Sequence, residues 1–208
     1  MVVAEPVAKL LLRAGLSANA VTVLGTLATI GAAVTLIPTG HLVWAAVLTL
    51  FFAAFDMIDG TMARLRGGGT AYGATLDASC DRLSDGALFG AIAYWLIYVD
   101  QADKSTVVVA LVVLALSQTI SYIKARAEAG GLKVNGGLIE RPERLILAVG
   151  GLFLDGLGVN LALEVALWTL AVGSVITVVQ RLYKASRDPK ANQRIAAPAG
   201  VPEPEDTH

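Results

Sequence analysis

Long apolar runs alternate with short polar breaks along most of this chain. Residues 14–55 carry no Lys, Arg, Asp or Glu, and only the turn-like Pro38-Thr39-Gly40-His41 interrupts them. At roughly 20 residues per crossing, that stretch holds two membrane-spanning helices. The same reading places six spans at about 19–37, 42–64, 71–99, 105–128, 142–157 and 160–184. The connections are short, so neighbouring helices run antiparallel in one bundle. Ahead of the first span, Leu10, Leu11, Leu12 and Leu16 beside Lys9 and Arg13 predict an amphipathic helix lying in the membrane interface. A helix running straight into the first span fits the same residues. Glu5, Pro6, Lys9 and Arg13 break up the apolar run there, so no cleaved signal is expected. The expected organisation is a juxtamembrane segment over 1–18, a six-helix membrane domain over 19–187 and a disordered tail over 188–208, where prolines and charges replace apolar bulk.

The fold class is therefore all-α, an integral membrane bundle, and composition agrees. The chain is 55% hydrophobic and 16% charged, with a mean hydropathy of +0.65, whereas globular chains average about 25% charged. A single cysteine, Cys80, excludes a disulfide framework, and two distant histidines exclude a zinc cage. A net charge of −1 gives no attraction to nucleic acid. The position of the charges says more than their sum. Of 16 Lys and Arg residues, all but Arg82 and Lys104 fall in the N-terminal segment, in 64–70, in 124–144, or from Arg181 onward. The positive-inside rule puts those regions and both termini on the cytoplasmic side of the cell membrane.

Asp56, Asp59, Asp77 and Asp81 lie in the second and third spans, with Arg64, Arg82 and Asp85 close by. A carboxylate inside a span costs about 2.5–3.5 kcal/mol, so four on adjacent helices need a partner that offsets the loss of water. The spacings 56/59 and 77/81 put each pair on one helical face. The turn over 65–70, with Gly67, Gly68 and Gly69, brings the helices back antiparallel, so the four carboxylates converge. Oxygen donors suit Mg²⁺ or Mn²⁺. Two such ions about 3.5–4 Å apart would clamp a diphosphate. Gly60, Ala63 and Gly73 leave room for close backbone approach or for a flat nucleotide. Spacing alone leaves two other readings open: structural carboxylates paired with Arg64 and Arg82, and a proton or cation pathway.

The run Asp56-Met-Ile-Asp59-Gly60-Thr-Met-Ala63-Arg64, followed by Gly73, Asp77 and Asp81, fills every fixed position of D-x-x-D-G-x-x-A-R-x8-G-x-x-x-D-x-x-x-D. It resembles the signature of the CDP-alcohol phosphotransferases. That resemblance implies six membrane helices, a homodimer, and metal-dependent transfer of a phosphatidyl group from a CDP-linked lipid to an alcohol, with release of CMP. It implies that Asp56, Asp59, Asp77 and Asp81 hold two Mg²⁺, or Mn²⁺, and that Asp81 is also the general base for the attacking hydroxyl. Gly60 and Arg64 match positions on the CDP part, with Thr70 beside them. Ser17-Ala18-Asn19-Ala20-Val21-Thr22 resembles the family's P-N-x-x-T segment, with Ala18 in place of proline. Asn19, Ala20, Val21 and Thr22 are the nucleotide contacts this implies, against simple capping by Ser17 or Asn19. Asp85, one turn beyond Asp81 and outside the signature, is read as a structural partner for Arg82 or a polar neighbour. Cys80 is read as a buried small side chain.

The alcohol must be read elsewhere, from Ser121-Tyr-Ile-Lys124-Ala-Arg126-Ala-Glu128 and Glu140-Arg141-Pro-Glu143-Arg144. Ser121 and Lys124 share a face, as do Arg141 and Arg144. Cations facing the metal site would bind a phosphorylated acceptor. Ordinary positive-inside placement and anionic-lipid contact are the alternative. The order of these residues resembles the actinobacterial phosphatidylinositol phosphate synthases, a branch of the same family. This implies CDP-diacylglycerol as donor, inositol 3-phosphate as acceptor and a bacterial cell membrane. Ser121, Lys124, Arg141, Arg144 and Arg181, or Lys184 in its place, are then the acceptor pocket. Glycerol 3-phosphate as acceptor, and a cation-coupled transporter, remain as rivals.

Overall fold

The computed structural model describes residues 4–193, without the side chains of Ala4, Asp56 and Met57. The expected tail therefore lies largely outside the described residues, from 194 onward. Eight helices follow in order: α1 (Ala4–Arg13), α2 (Ala18–Leu36), α3 (Leu42–Ala53), α4 (Phe55–Leu65), α5 (Ala71–Tyr98), α6 (Lys104–Ala129), α7 (Arg141–Gly156) and α8 (Ala162–Arg187). Among the described residues there is no strand.

Helix starts follow from side-chain oxygens placed where the first backbone N–H groups have no partner. Ser17 Oγ accepts from the Ala20 N–H at 3.1 Å to open α2. Thr70 Oγ1 does the same for Gly73 at 2.9 Å to open α5. Glu140 and Glu143 form a reciprocal capping box around α7, with Pro142 in its first turn. The turn between α4 and α5 uses Gly67 at φ +96° and Gly68 at φ +123°, a backbone region closed to most side chains.

Four stretches are long and apolar enough to cross a membrane: Ala18–Leu36, Leu42–Leu65, Lys104–Ala129 and Ala162–Arg187. Two of the six expected spans fall outside that set. Helix α5 has 28 residues but carries Asp77, Asp81, Arg82 and Asp85, while α7 has only 16 and includes Arg141, Glu143, Arg144 and Asp155. The expected span 42–64 is interrupted at Ala54 into α3 and α4, where the apolar run ends and the segment holding Asp56 and Asp59 begins.

Core side chains come from six helices, among them Ala33, Leu88, Phe89, Ile92, Leu152, Leu167 and Leu170. Helix α2 packs on α3 and α5, α6 on α5 and α8, and α7 on α3 and α8. The outward face is also apolar: Leu24, Leu27, Trp44, Val108, Leu111 and Val172 are exposed. Buried threonines on α2 return their hydroxyls to their own helix, Thr26 to Thr22 O at 2.8 Å and Thr29 to Gly25 O at 2.9 Å. Helix α1 packs on α4 through Ala8, which is buried with Val21 and Met62, while Leu10 faces outward.

Candidate active site

The N-terminal turn of α2, the last half of α4, the glycine turn and the first two turns of α5 enclose a cleft of about 450 Å³. Its walls include Asn19, Thr22, Asp59, Gly60, Ala63, Thr70, Gly73 and Asp77. Thr22 Oγ1 hydrogen-bonds Asp59 Oδ2 at 2.5 Å, tying α2 to α4 at the floor of the cleft. Asp59 is 6% exposed, so this bond fixes a carboxylate that water hardly reaches. Gly73 stands at a tight contact. A Cβ there would stand 3.1 Å from Thr70 Oγ1 and 3.3 Å from Asn19 Oδ1. The missing side chain lets the α2 and α5 starts close on one another.

Of the seven residues expected on the CDP part, Asn19, Thr22, Gly60 and Thr70 line this cleft, whereas Ala20, Val21 and Arg64 do not. Ala20 gives its N–H to Ser17. Val21 turns away into the α1 contact with Ala8 and Met62. Arg64 bonds Thr61 Oγ1 at 2.9 Å and is exposed. Arg66, which the sequence reading did not single out, lines the cleft, as do Gly68 and Gly69, expected only as the turn. The signal for Arg66 was a cation inside the glycine turn.

The acids divide between two surroundings. Asp59 and Asp77 face the cleft. Asp81, a turn further along α5, receives Arg141 Nη2 at 2.8 Å from α7 and has Arg82 at 3.9 Å. Asp85 is 4% exposed and meets Arg144 Nη2 at 2.6 Å, Arg82 at 3.3 Å and Arg141 Nε at 3.8 Å. The reading of Asp85 as a partner for Arg82 is thus observed, with two further arginines on the same carboxylate. Cys80 is buried, as expected.

Among the other acceptor candidates, Lys124 is about half exposed and has Glu128 at 3.9 Å. Ser121 donates to Ser117 O at 3.2 Å. Arg144 is 1% exposed, on Asp85. Arg181, 4% exposed, donates to Ile120 O at 2.7 Å, Gly136 O at 3.3 Å and Glu140 Oε1 at 3.2 Å. Lys184 Nζ donates to Asn135 O at 2.7 Å. Arg181 and Lys184 thereby fasten the 130–140 loop to α8.

Among the described side chains, no three of His, Cys, Asp and Glu stand close enough to share a cation; Asp56 is not one of them. The donors that are described fit a hard cation: Asp59 and Asp77 present only oxygen to the same cleft, and neither Cys80 nor a histidine lines it.

Residues 16–179 match the family described as CDP-alcohol phosphatidyltransferase. The phosphatidylinositol phosphate synthase of Corynebacterium glutamicum is 58% identical over 200 residues, covering 96% of this chain and 91% of the relative. That of Mycobacteroides abscessus is 50% identical over 190 residues, covering 91% and 86%. Among solved structures, the Mycobacterium tuberculosis phosphatidylinositol phosphate synthase with CDP-DAG bound has a TM-score of 0.90 and 48% identity, covering 95% of this chain and 100% of that one. The same enzyme in complex with manganese and citrate gives 0.88 at 48% identity, covering 93% and 94%. The cleft residues Asp59, Gly60, Ala63, Gly73 and Asp77 all fall inside the matched region, and the chain belongs to the CDP-alcohol phosphatidyltransferase family.

Proposed function

We propose that this protein transfers the phosphatidyl group of CDP-diacylglycerol to inositol 3-phosphate and releases CMP. The observation that carries the reading is the cleft itself. Asp59 and Asp77 face Asn19, Thr22, Gly60 and Thr70 across one cavity, and Asp81 lies one turn beyond with a cation at its carboxylate. The identity of 58% over nearly the full chain supports the same donor and acceptor.

The CDP part occupies the cleft, held by Asn19, Thr22, Gly60 and Thr70; Ala20 and Val21 keep the α2 start in place, their N–H groups bonded to Ser17, and Arg64 stands outside the cleft on Thr61. Asp56, Asp59, Asp77 and Asp81 hold Mg²⁺ or Mn²⁺, which when bound neutralises the diphosphate and stabilises the departing phosphate oxygen. Thr22 keeps Asp59 aimed into the cleft. Asp81 takes the proton from an inositol hydroxyl as that oxygen attacks the β-phosphorus. The new O–P bond forms while the bridge to CMP breaks, and CMP leaves with the electron pair. Ser121, Lys124, Arg141, Arg144 and Arg181 hold the acceptor phosphate, Arg144 and Arg181 from beneath the surface as fixed positive charge.

Residues 19–187 form one membrane domain whose six crossings are α2, α3 with α4, α5, α6, α7 and α8. Residues 1–18 are a separate segment in which α1 lies in the interface, and the tail from 188 is cytoplasmic. The clustering of Lys and Arg at one set of turns supports cytoplasmic termini and a cytoplasmic cleft in a bacterial cell membrane. The family resemblance supports a homodimer.

Purified protein given labelled CDP-diacylglycerol with each acceptor in turn tests the reading. CMP release with inositol 3-phosphate, lost in excess chelator and restored by Mg²⁺, is expected. Turnover with glycerol 3-phosphate alone would reject the acceptor, and ion flux without CMP release would reject the enzyme.

A further inference from the structure

Asp85 lies outside the family signature, and the transfer described above does not use it, yet it is a buried acid with several arginines on its carboxylate. It is 4% exposed and collects three guanidinium groups from two helices. Arg144 Nη2 stands 2.6 Å away, Arg82 Nη2 3.3 Å and Arg141 Nε 3.8 Å. Two of these also reach Asp81, Arg141 at 2.8 Å and Arg82 at 3.9 Å. Helices α5 and α7 share little backbone contact. Side chains make the link between them, with Arg141 on Asp81 and both Arg141 and Arg144 on Asp85.

Among the described side chains, three guanidinium groups meet the two carboxylates here. They carry more donors than Asp85 can satisfy. Arg144 is 1% exposed, and its Nε and Nη1 are buried without a hydrogen-bond partner, as is Arg82 Nε. Buried guanidinium donors left over beside Asp81 keep a fixed positive field next to it, and such a field favours an anion over a neutral group. Without Asp85, the Arg144 charge would be buried unpaired, and Arg82 and Arg141 would have Asp81 as their only nearby carboxylate of the pair.

We propose that Asp85 is the positioning residue of the acceptor side. Holding Arg82, Arg141 and Arg144 on one buried carboxylate keeps Arg141 beside Asp81 and sets the preference for a phosphorylated over an uncharged alcohol. The proposal rests on the reading that an inositol phosphate is the acceptor. Asp85 touches neither substrate; it acts through the arginines.

The test follows CMP release from CDP-diacylglycerol in detergent, with inositol 3-phosphate and, separately, unphosphorylated inositol. It compares wild type with Asp85→Asn, Asp85→Glu and the double variant Asp85→Asn/Arg144→Gln. The acceptor KM in Asp85→Asn should rise at least tenfold while the KM for CDP-diacylglycerol stays within twofold, and the preference for the phosphorylated acceptor should narrow. Asp85→Glu should recover most of the loss. The double variant removes the buried charge pair together, so it relieves the lone guanidinium yet should keep the raised acceptor KM. Equal rises in both KM values, an unchanged acceptor KM, a double variant that returns to wild-type values, or failure of all three variants to fold would each overturn the proposal. Wild type that releases no CMP with the phosphorylated acceptor would instead remove the acceptor reading, and the proposal with it.

Discussion

Thr22 and Asp59, 37 residues apart, share a 2.5 Å hydrogen bond between α2 and α4. The bond places a hydroxyl of the expected nucleotide segment on an expected metal ligand, so it joins the α2 and α4 walls of the cleft. Replacing Thr22 with Val keeps the shape and removes the donor. A hydrogen bond to a charged group contributes about 1.5–3 kcal/mol, so kcat/KM for CDP-diacylglycerol should fall roughly tenfold to a hundredfold. Thr22→Ser should retain most activity. Steady-state CMP release measures both.

Asp81 carries the proton in the proposed transfer. Asp81→Asn should lower turnover by at least about 10²-fold, the smaller end of general-base contributions. CDP-diacylglycerol binding, followed by equilibrium titration, should persist. Normal turnover in this variant would reject the base assignment.

Gly137 faces Thr177 so closely that a Cβ would stand 2.5 Å from Thr177 Cγ2. Thr177 is fully buried, donating to Gly173 O at 2.8 Å and accepting from the Ile139 N–H at 2.9 Å, so it has no freedom to turn aside. Gly137→Ala should therefore destabilise by about 1–3 kcal/mol, as overpacking does. A lowered Tm in detergent is expected, with partial recovery when Thr177→Ser is added.

Asp188, just past α8, receives the Lys133 N–H and the Lys190 N–H at 2.9 Å each. Those bonds, Lys133 first, hold its carboxyl below the usual carboxylate range. A group depressed in the native state stabilises above its ordinary, unfolded value, and that contribution disappears as pH falls through the native one. Protection of the Lys133 amide from hydrogen exchange should persist from neutral pH down to the ordinary carboxylate range and vanish below it. In Asp188→Ala it should be weak already at neutral pH.

The sequence reveals whatever depends on neighbours along the chain. Ser17 and Thr70 cap the helices they precede, and Gly67 and Gly68 turn the chain so that Asp59 and Asp77 reach one cleft, while Asp81, read on the same face as Asp77, meets Arg141 instead. What stays hidden is pairing across helices. Nothing in the spacing of Arg141 and Arg144 says that they end on acids of α5, or that Arg144 is buried. The Glu-Arg-Pro-Glu-Arg run, read for its cations, also builds a capping box for its own helix. Val21 shares a segment with Asn19 and Thr22, but α1 covers its side chain, a tertiary fact invisible in the motif.

Arg181 bonds the Ile120 and Gly136 carbonyls and the Glu140 carboxylate from the final helix. A ribosome releases the chain from its N-terminal end, so the clamp on the 130–140 loop is among the last parts to emerge. The cleft residues, 17–77, emerge earlier. A stop codon before residue 181 would remove the clamp and leave the 130–140 loop unfastened from the last helix.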